Sequence, residues 1–140
     1  MNIQAIQEEI IDEFSMFDDW DERFQYVIDL GKSLPLIDEK FKTEDNIIKG
    51  CQSKVWLHAE EKNGLINFTA DSDGYISKGV ISILVRVFSN QKAVDILESN
   101  TDFINKIELQ QFLSPNRANG LSMMIKQIKL YALGLEAKNK

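Results

Sequence analysis

The chain has a single cysteine, Cys51, and a single histidine, His58, and a thiol is the strongest nucleophile this composition offers. Cys51 follows Lys49-Gly50 and precedes Gln52-Ser53-Lys54. The reactive form is the thiolate, which nearby cations favour, so Lys49 and Lys54 are expected to ease its ionisation. Gly50 allows a sharp turn and the close approach of another molecule. A cysteine on such a loop can be presented to a partner. The competing reading is a buried cysteine acting as a small hydrophobe.

His58 lies seven residues further along an expected strand, roughly 23 Å away at the rise of extended chain, whereas a general base must come within ~3 Å. A self-contained Cys–His hydrolase is therefore disfavoured. Zinc and iron–sulfur sites typically take four Cys or His ligands, which one of each cannot supply within one chain. Gly31-Lys32-Ser33 has the form of a phosphate-loop ending, but Tyr26 stands where that pattern needs glycine, and a helix is expected where it needs a strand. Arg117 falls in the first turn of an expected helix, where its charge opposes the dipole. It calls for a carboxylate, with Asp73 the candidate, or for an anionic ligand.

With 140 residues and 44% hydrophobic content, residues 1–140 read as one domain with one ordinary core. A net charge of −6 argues against nucleic acid and anionic membrane surfaces, both of which need clustered cations. No apolar run reaches the ~18 residues of a membrane span, and Glu8, Glu9 and Asp12 occupy the place of a signal peptide's basic start. A free thiol and no possible internal disulfide fit a reducing compartment, and the expected location is the cytoplasm.

Apolar residues at helical spacing mark one helix over about Ile3 to Phe17 and a second carrying Trp20, Phe24, Val27 and Ile28, with Asp19 and Glu22 as its N-terminal box and Gly31 as its stop. Asp38 to Gly50 reads as a connection with at most a short helical turn. The period then becomes two. Val55, Leu57 and Ala59, then Ile66, Phe68 and Ala70, form an antiparallel hairpin whose Asn63-Gly64 turn opposes Ala59 to Phe68 and Leu57 to Ala70. Trp56, His58 and Thr69 fall on its other face. Asp71-Ser72-Asp73 offers cap oxygens for a buried helix with Ile76, Val80, Ile83, Leu84 and Val87. Short pieces near Lys92–Leu97 and Phe103–Ile107 follow. Ser114-Pro115 then opens a closing helix whose buried stripe is Leu121, Met124, Ile125, Ile128, Ala132 and Leu135. The class is α+β, a small antiparallel sheet with helices packed on one face.

The segment Asn46-Ile47-Ile48-Lys49-Gly50-Cys51-Gln52-Ser53-Lys54-Val55-Trp56 resembles the SufE family of sulfur acceptors, whose hallmark is Gly-Cys-Gln-Ser before a Val-Trp strand. Further matches run from Trp20 through Asp29-Leu30-Gly31 to Leu34-Pro35, through Asp71-Ser72-Asp73 with Lys78-Gly79, and through Leu113-Ser114-Pro115-Asn116-Arg117 with Gly120. Gly74, where alanine is frequent, Asn116, where serine is common, and His58 depart from the pattern.

The resemblance implies a fold shared with iron–sulfur scaffold proteins and makes Cys51 the acceptor cysteine, with Gly50, Gln52, Ser53, Asp73 and Arg117 around it. It implies a pyridoxal-phosphate cysteine desulfurase as partner and an iron–sulfur scaffold complex downstream. No cofactor of the chain's own and no independent turnover are expected, because the partner's pyridoxal phosphate breaks the C–S bond. The expected state is a monomer or a weak homodimer. Transfer between proteins calls for a movable loop that presents Cys51 and shelters the persulfide. Two other readings stay open: a non-covalent regulator that binds the desulfurase without using Cys51, and an independent thiol enzyme.

Overall fold

The computed structural model describes residues 1–138. Helix α1 (Ile3–Phe14) is capped by Asn2, whose side chain accepts the Ala5 N–H, and it ends at Ser15, one turn before the expected Phe17. The Asp19 side chain accepts the Glu22 N–H at 2.8 Å and starts α2 (Trp20–Leu30). A 3-10 turn over Gly31–Ser33 follows, so Gly31-Lys32-Ser33 is a helix stop. Two further 3-10 turns, Glu39–Phe41 and Glu44–Asn46, occupy the connection.

Strands β1 (Val55–Lys62) and β2 (Leu65–Ser72) pair antiparallel in the register the Asn63-Gly64 turn requires, with Ala59 opposite Phe68 and Leu57 opposite Ala70. Val55, Leu57, Ile66, Phe68 and Ala70 bury the inner face. The outer face carries Trp56 and His58, and the 3-10 segment roofs it: the Phe41 ring stacks on His58 at 3.7 Å, and Lys42 Nζ lies 4.7 Å from the Trp56 ring. His58 Nε2 sits 3.2 Å from Glu60 Oε1. It is thus committed to the outer face of the sheet.

Helix α3 (Tyr75–Phe88) is the central element, and Val80, Ile81, Ile83, Leu84, Val85, Val87 and Phe88 on it are all nearly inaccessible. At about 1.5–3 kcal/mol per fully buried side chain, this helix anchors the core. Gly79 is where α2 crosses it, since a Cβ there would fall 2.1 Å from the Val27 carbonyl oxygen. The expectation that Asp71-Ser72-Asp73 caps α3 is not met. β2 runs on through Ser72, the cap position is Gly74, which has no side chain to cap with, and Ser72 Oγ accepts the N–H of Gly74 itself and not one of the helix. The sheet ladder takes Asp71 and Ser72, and the Asp73 side chain accepts the Lys54 N–H.

Helices α4 (Ala93–Glu98), α5 (Asp102–Lys106) and α6 (Leu109–Phe112) lead to α7 (Pro115–Lys138). Ser114 Oγ accepts the Arg117 N–H at 3.3 Å, which is the predicted cap. Leu121, Met124, Ile128 and Ala132 are buried, with Ile125 and Leu135 packed at the margin. Helices thus pack on one face of a two-stranded antiparallel sheet, the expected α+β class. Among the described residues no helix is long and apolar enough to cross a membrane.

Candidate functional site

Cys51 enters its place because the chain turns at Gly50, whose φ of +92° is a conformation L side chains rarely adopt. The loop then drops between the first turns of α3 and α7. Cys51, Gln52, Ile76, Ser77, Val80, Arg117, Gly120 and Met124 surround a void of about 10 Å³, barely the size of one water. The thiol is half-buried, and Sγ approaches the Gly120 carbonyl oxygen at 3.7 Å. A Cβ on Gly120 would stand 3.4 Å from Sγ and 3.5 Å from the Cys51 Cα. A bare backbone at that point of α7 therefore makes the seat.

The middle of the loop is held lightly. Asn119 Nδ2 donates to the Gly50 carbonyl at 3.4 Å, a long bond, and Met123 lies against Gly50. Its flanks are held firmly. Ile48 N–H donates to the Val55 carbonyl at 2.8 Å, Lys54 N–H to Asp73 Oδ1 at 2.9 Å, and Ser72 Oγ to the Lys54 carbonyl at 2.8 Å. Ser53 rests on Gly74, where a Cβ would come within 2.3 Å of Ser53 Oγ. Gly74 therefore admits Ser53 to this position.

Two sequence expectations are corrected here. Burial, not Lys49 or Lys54, governs the thiol: it pushes the Cys51 pKa above its ordinary value, and the exposed lysines do not offset it. The neutral thiol is the seated form, because removing an ion from water costs more than exposed, hydrated cations return. Asp73 and Arg117 are likewise not a pair. Asp73 receives the Lys54 N–H, and among the described residues Arg117 makes no ion pair within 4 Å. Arg117 Nε is buried without a hydrogen-bond partner.

The structure thus brings Cys51, Gln52 and Arg117 to one void, rests Gly50 against Met123 and Ser53 against Gly74, and uses Asp73 as the loop's anchor. His58 is not among the residues around Cys51. Sequence reasoning did not foresee the contacts of Asn119, Met123 and Gly120 with this loop. Gly120 carried a signal, since glycine inside a helix costs ~1 kcal/mol against alanine and usually has a packing reason.

An independent line of observation comes from known proteins. The family model described as an Fe-S metabolism associated domain, SufE, matches residues 8–132. An uncharacterized SufE-like protein of Rhizobium meliloti is 41% identical over 132 residues, covering 91% of this chain and 94% of that protein. The cysteine desulfuration protein SufE of Wigglesworthia glossinidia brevipalpis is 36% identical, covering 93% of this chain and 92% of its own. The solution structure of a hypothetical protein from Thermus thermophilus superposes with a TM-score of 0.77 at 16% identity, covering 92% of this chain and 94% of that one, and so shares the fold. With a family match over most of its length and a relative 41% identical across nearly the whole of both chains, the chain belongs to the SufE family.

Proposed function

We propose that this protein accepts sulfur on Cys51 from a pyridoxal-phosphate cysteine desulfurase and passes it toward iron–sulfur cluster assembly. The observation that carries this reading is the seat itself. A lone thiol rests in a small, partly apolar void on a loop that is pinned at both ends and lightly held between them. Such a loop can leave its seat without unravelling the strands beside it. Family membership and the desulfuration name of one relative support the same reading.

The chemistry follows from the burial. Cys51 is protonated in the seat, so it first moves into water and gives up its proton there. The thiolate then attacks the terminal sulfur of the donor's persulfide. A Cys51–sulfur bond forms and the donor's S–S bond breaks; the electron pair leaves with the donor thiolate and the transferred sulfur keeps its proton, so no external oxidant or reductant enters. Return to the seat shields the new persulfide from soluble thiols. Arg117 Nε, with no partner in the resting loop, supplies a donor for that sulfur once it has lost its proton. The partner's pyridoxal phosphate performs the C–S cleavage, and this chain supplies nucleophile and shelter.

Incubation of the protein with its desulfurase and cysteine, followed by intact-mass measurement, is expected to show a gain of about 32 mass units, one sulfur atom. Cys51→Ser is expected to gain none. Sulfur on the serine variant, or stimulation of the desulfurase to the same degree by both proteins, overturns transfer through Cys51 and leaves a non-covalent regulator.

A further inference from the structure

We propose that Tyr75 is the anchor on which the sulfur-donating protein seats itself over the Cys51 loop, with Lys49 and Lys54 facing carboxylates of that donor. The inference rests on the reading of Cys51 as a sulfur acceptor. An S–S bond is about 2 Å long, so a donor that delivers sulfur to Cys51 must cover the residues that rim it. Tyr75 is the chain neighbour of residues that touch this loop and its void. Gly74, immediately before it, lies against Ser53 of the loop, and Ile76 and Ser77, immediately after it, line the void around Cys51.

Tyr75 is 68% exposed and is the one aromatic among the strongly exposed large hydrophobic residues described. Its backbone opens α3, the most deeply buried helix, so the ring projects from a rigid base. A tyrosine so placed offers a large amphipathic surface with few rotatable bonds, which is why such side chains concentrate binding energy at interfaces. A ring left in water beside a site that must be covered is the expected insertion point.

Charge indicates what receives it. Residues 1–31 hold nine of the 22 acidic side chains and one of the 16 basic ones, a local balance of −8 in a chain of −6. The remainder is therefore slightly basic. At the loop, Lys49 and Lys54 are exposed, Arg117 is half-buried beside Cys51, and Asp73 is the carboxylate interspersed with them. Lys42 and Lys78 nearby are both occupied by Asp71. The matching donor surface is an apolar slot, wide enough for a phenol ring, with Asp or Glu on its border.

Equilibrium binding to the purified cognate desulfurase tests this. Tyr75→Ala is expected to raise Kd by about tenfold or more, and Tyr75→Phe by no more than about twofold. Reversing both Lys49 and Lys54 to Glu is expected to slow association and flatten its salt dependence. Leu133→Ala, at a 54% exposed position far along α7, is expected to bind as the parent does. Unchanged alkylation of Cys51 in Tyr75→Ala would show an intact loop. If Tyr75→Ala binds and receives sulfur like the parent, the anchor is refuted while the acceptor reading stands. If binding depends on Tyr75 but Cys51 gains no sulfur, the acceptor reading fails alone. If the parent does not bind, both fall.

Discussion

Two turns in this molecule are built from nearly the same local chemistry and behave as opposites. At the hairpin tip, Asn63 and Gly64 take φ of 54° and 80°; at the Cys51 loop, Gly50 takes 92°. The tip is closed by the ladder directly beneath it, with Lys62 paired to Leu65, and nothing lies within 4 Å of a Cβ on Gly64. The Cys51 loop leans on Met123, Asn119 and Gly120, all about seventy positions away in the chain, through a bond of 3.4 Å and a sulfur contact of 3.7 Å. The tip is fixed by its neighbours in sequence. The loop is fixed by a surface it can leave, and the difference lies in what the turn rests on.

The largest expected effect concerns the thiol itself. Because burial raises the Cys51 pKa, seating contributes stability that is fully present below the ordinary thiol value and is lost as pH rises through the higher seated value. At pH 8, alkylation of the native protein is expected to lag that of the denatured chain by about tenfold, with the gap narrowing as pH rises through the seated value. Equal rates at pH 8 would mean the seat does not shield sulfur. Next comes Gly50→Ala, which combines a left-handed strain of about 1–2 kcal/mol with a Cβ 3.0 Å from Met123 Cγ. By the equivalence of ~1.4 kcal/mol to tenfold, native alkylation should quicken by about that factor. A rate equal to the parent's would show the loop already unseated.

These two regions also show what a sequence discloses. Asn63-Gly64 between alternating apolar runs fixes strand, turn and register together, and the structure matches it pair for pair. Asp19, Ser114-Pro115 and the apolar stripes of α2, α3 and α7 were legible for the same reason: each depends on residues within one or two turns. The identity of Cys51 as the candidate nucleophile was equally plain. Its environment was not, because burial is made by Gly120, Val80 and Met124 arriving from distant helices. Lys49 and Lys54 are close in sequence and were credited with an influence that solvent removes. Asp73 was assigned first to a helix cap and then to Arg117, whereas the Lys54 N–H across the end of the hairpin claims it. Local grammar sets elements; long-range contact sets a site's electrostatics.

Asp73→Ala sharpens the contrast at a smaller scale. It removes the acceptor for the Lys54 N–H but leaves that group open to water, so the expected loss is about 1 kcal/mol of stability, with alkylation of Cys51 rising by about threefold. Because Asp73 and Arg117 are not paired, combining it with Arg117→Ala is expected to give additive changes in denaturation free energy. A coupling above about 0.5 kcal/mol would restore the ion pair and contradict the geometry seen here.

The smallest effect on the thiol is expected from Gly64→Ala, and for that reason it probes the comparison most directly. The substituted residue meets open space, so the only penalty is conformational, about 1 kcal/mol for a side chain forced to positive φ. That cost is of the same order as Gly50→Ala and should appear in chemical denaturation. Cys51 alkylation should nevertheless match the parent's, because strain at the tip is absorbed by eight ladder pairs before it reaches Val55. If the thiol instead becomes more reactive, the two turns communicate through the hairpin, and the loop's looseness is then a property of the whole sheet and not of its seat on α7.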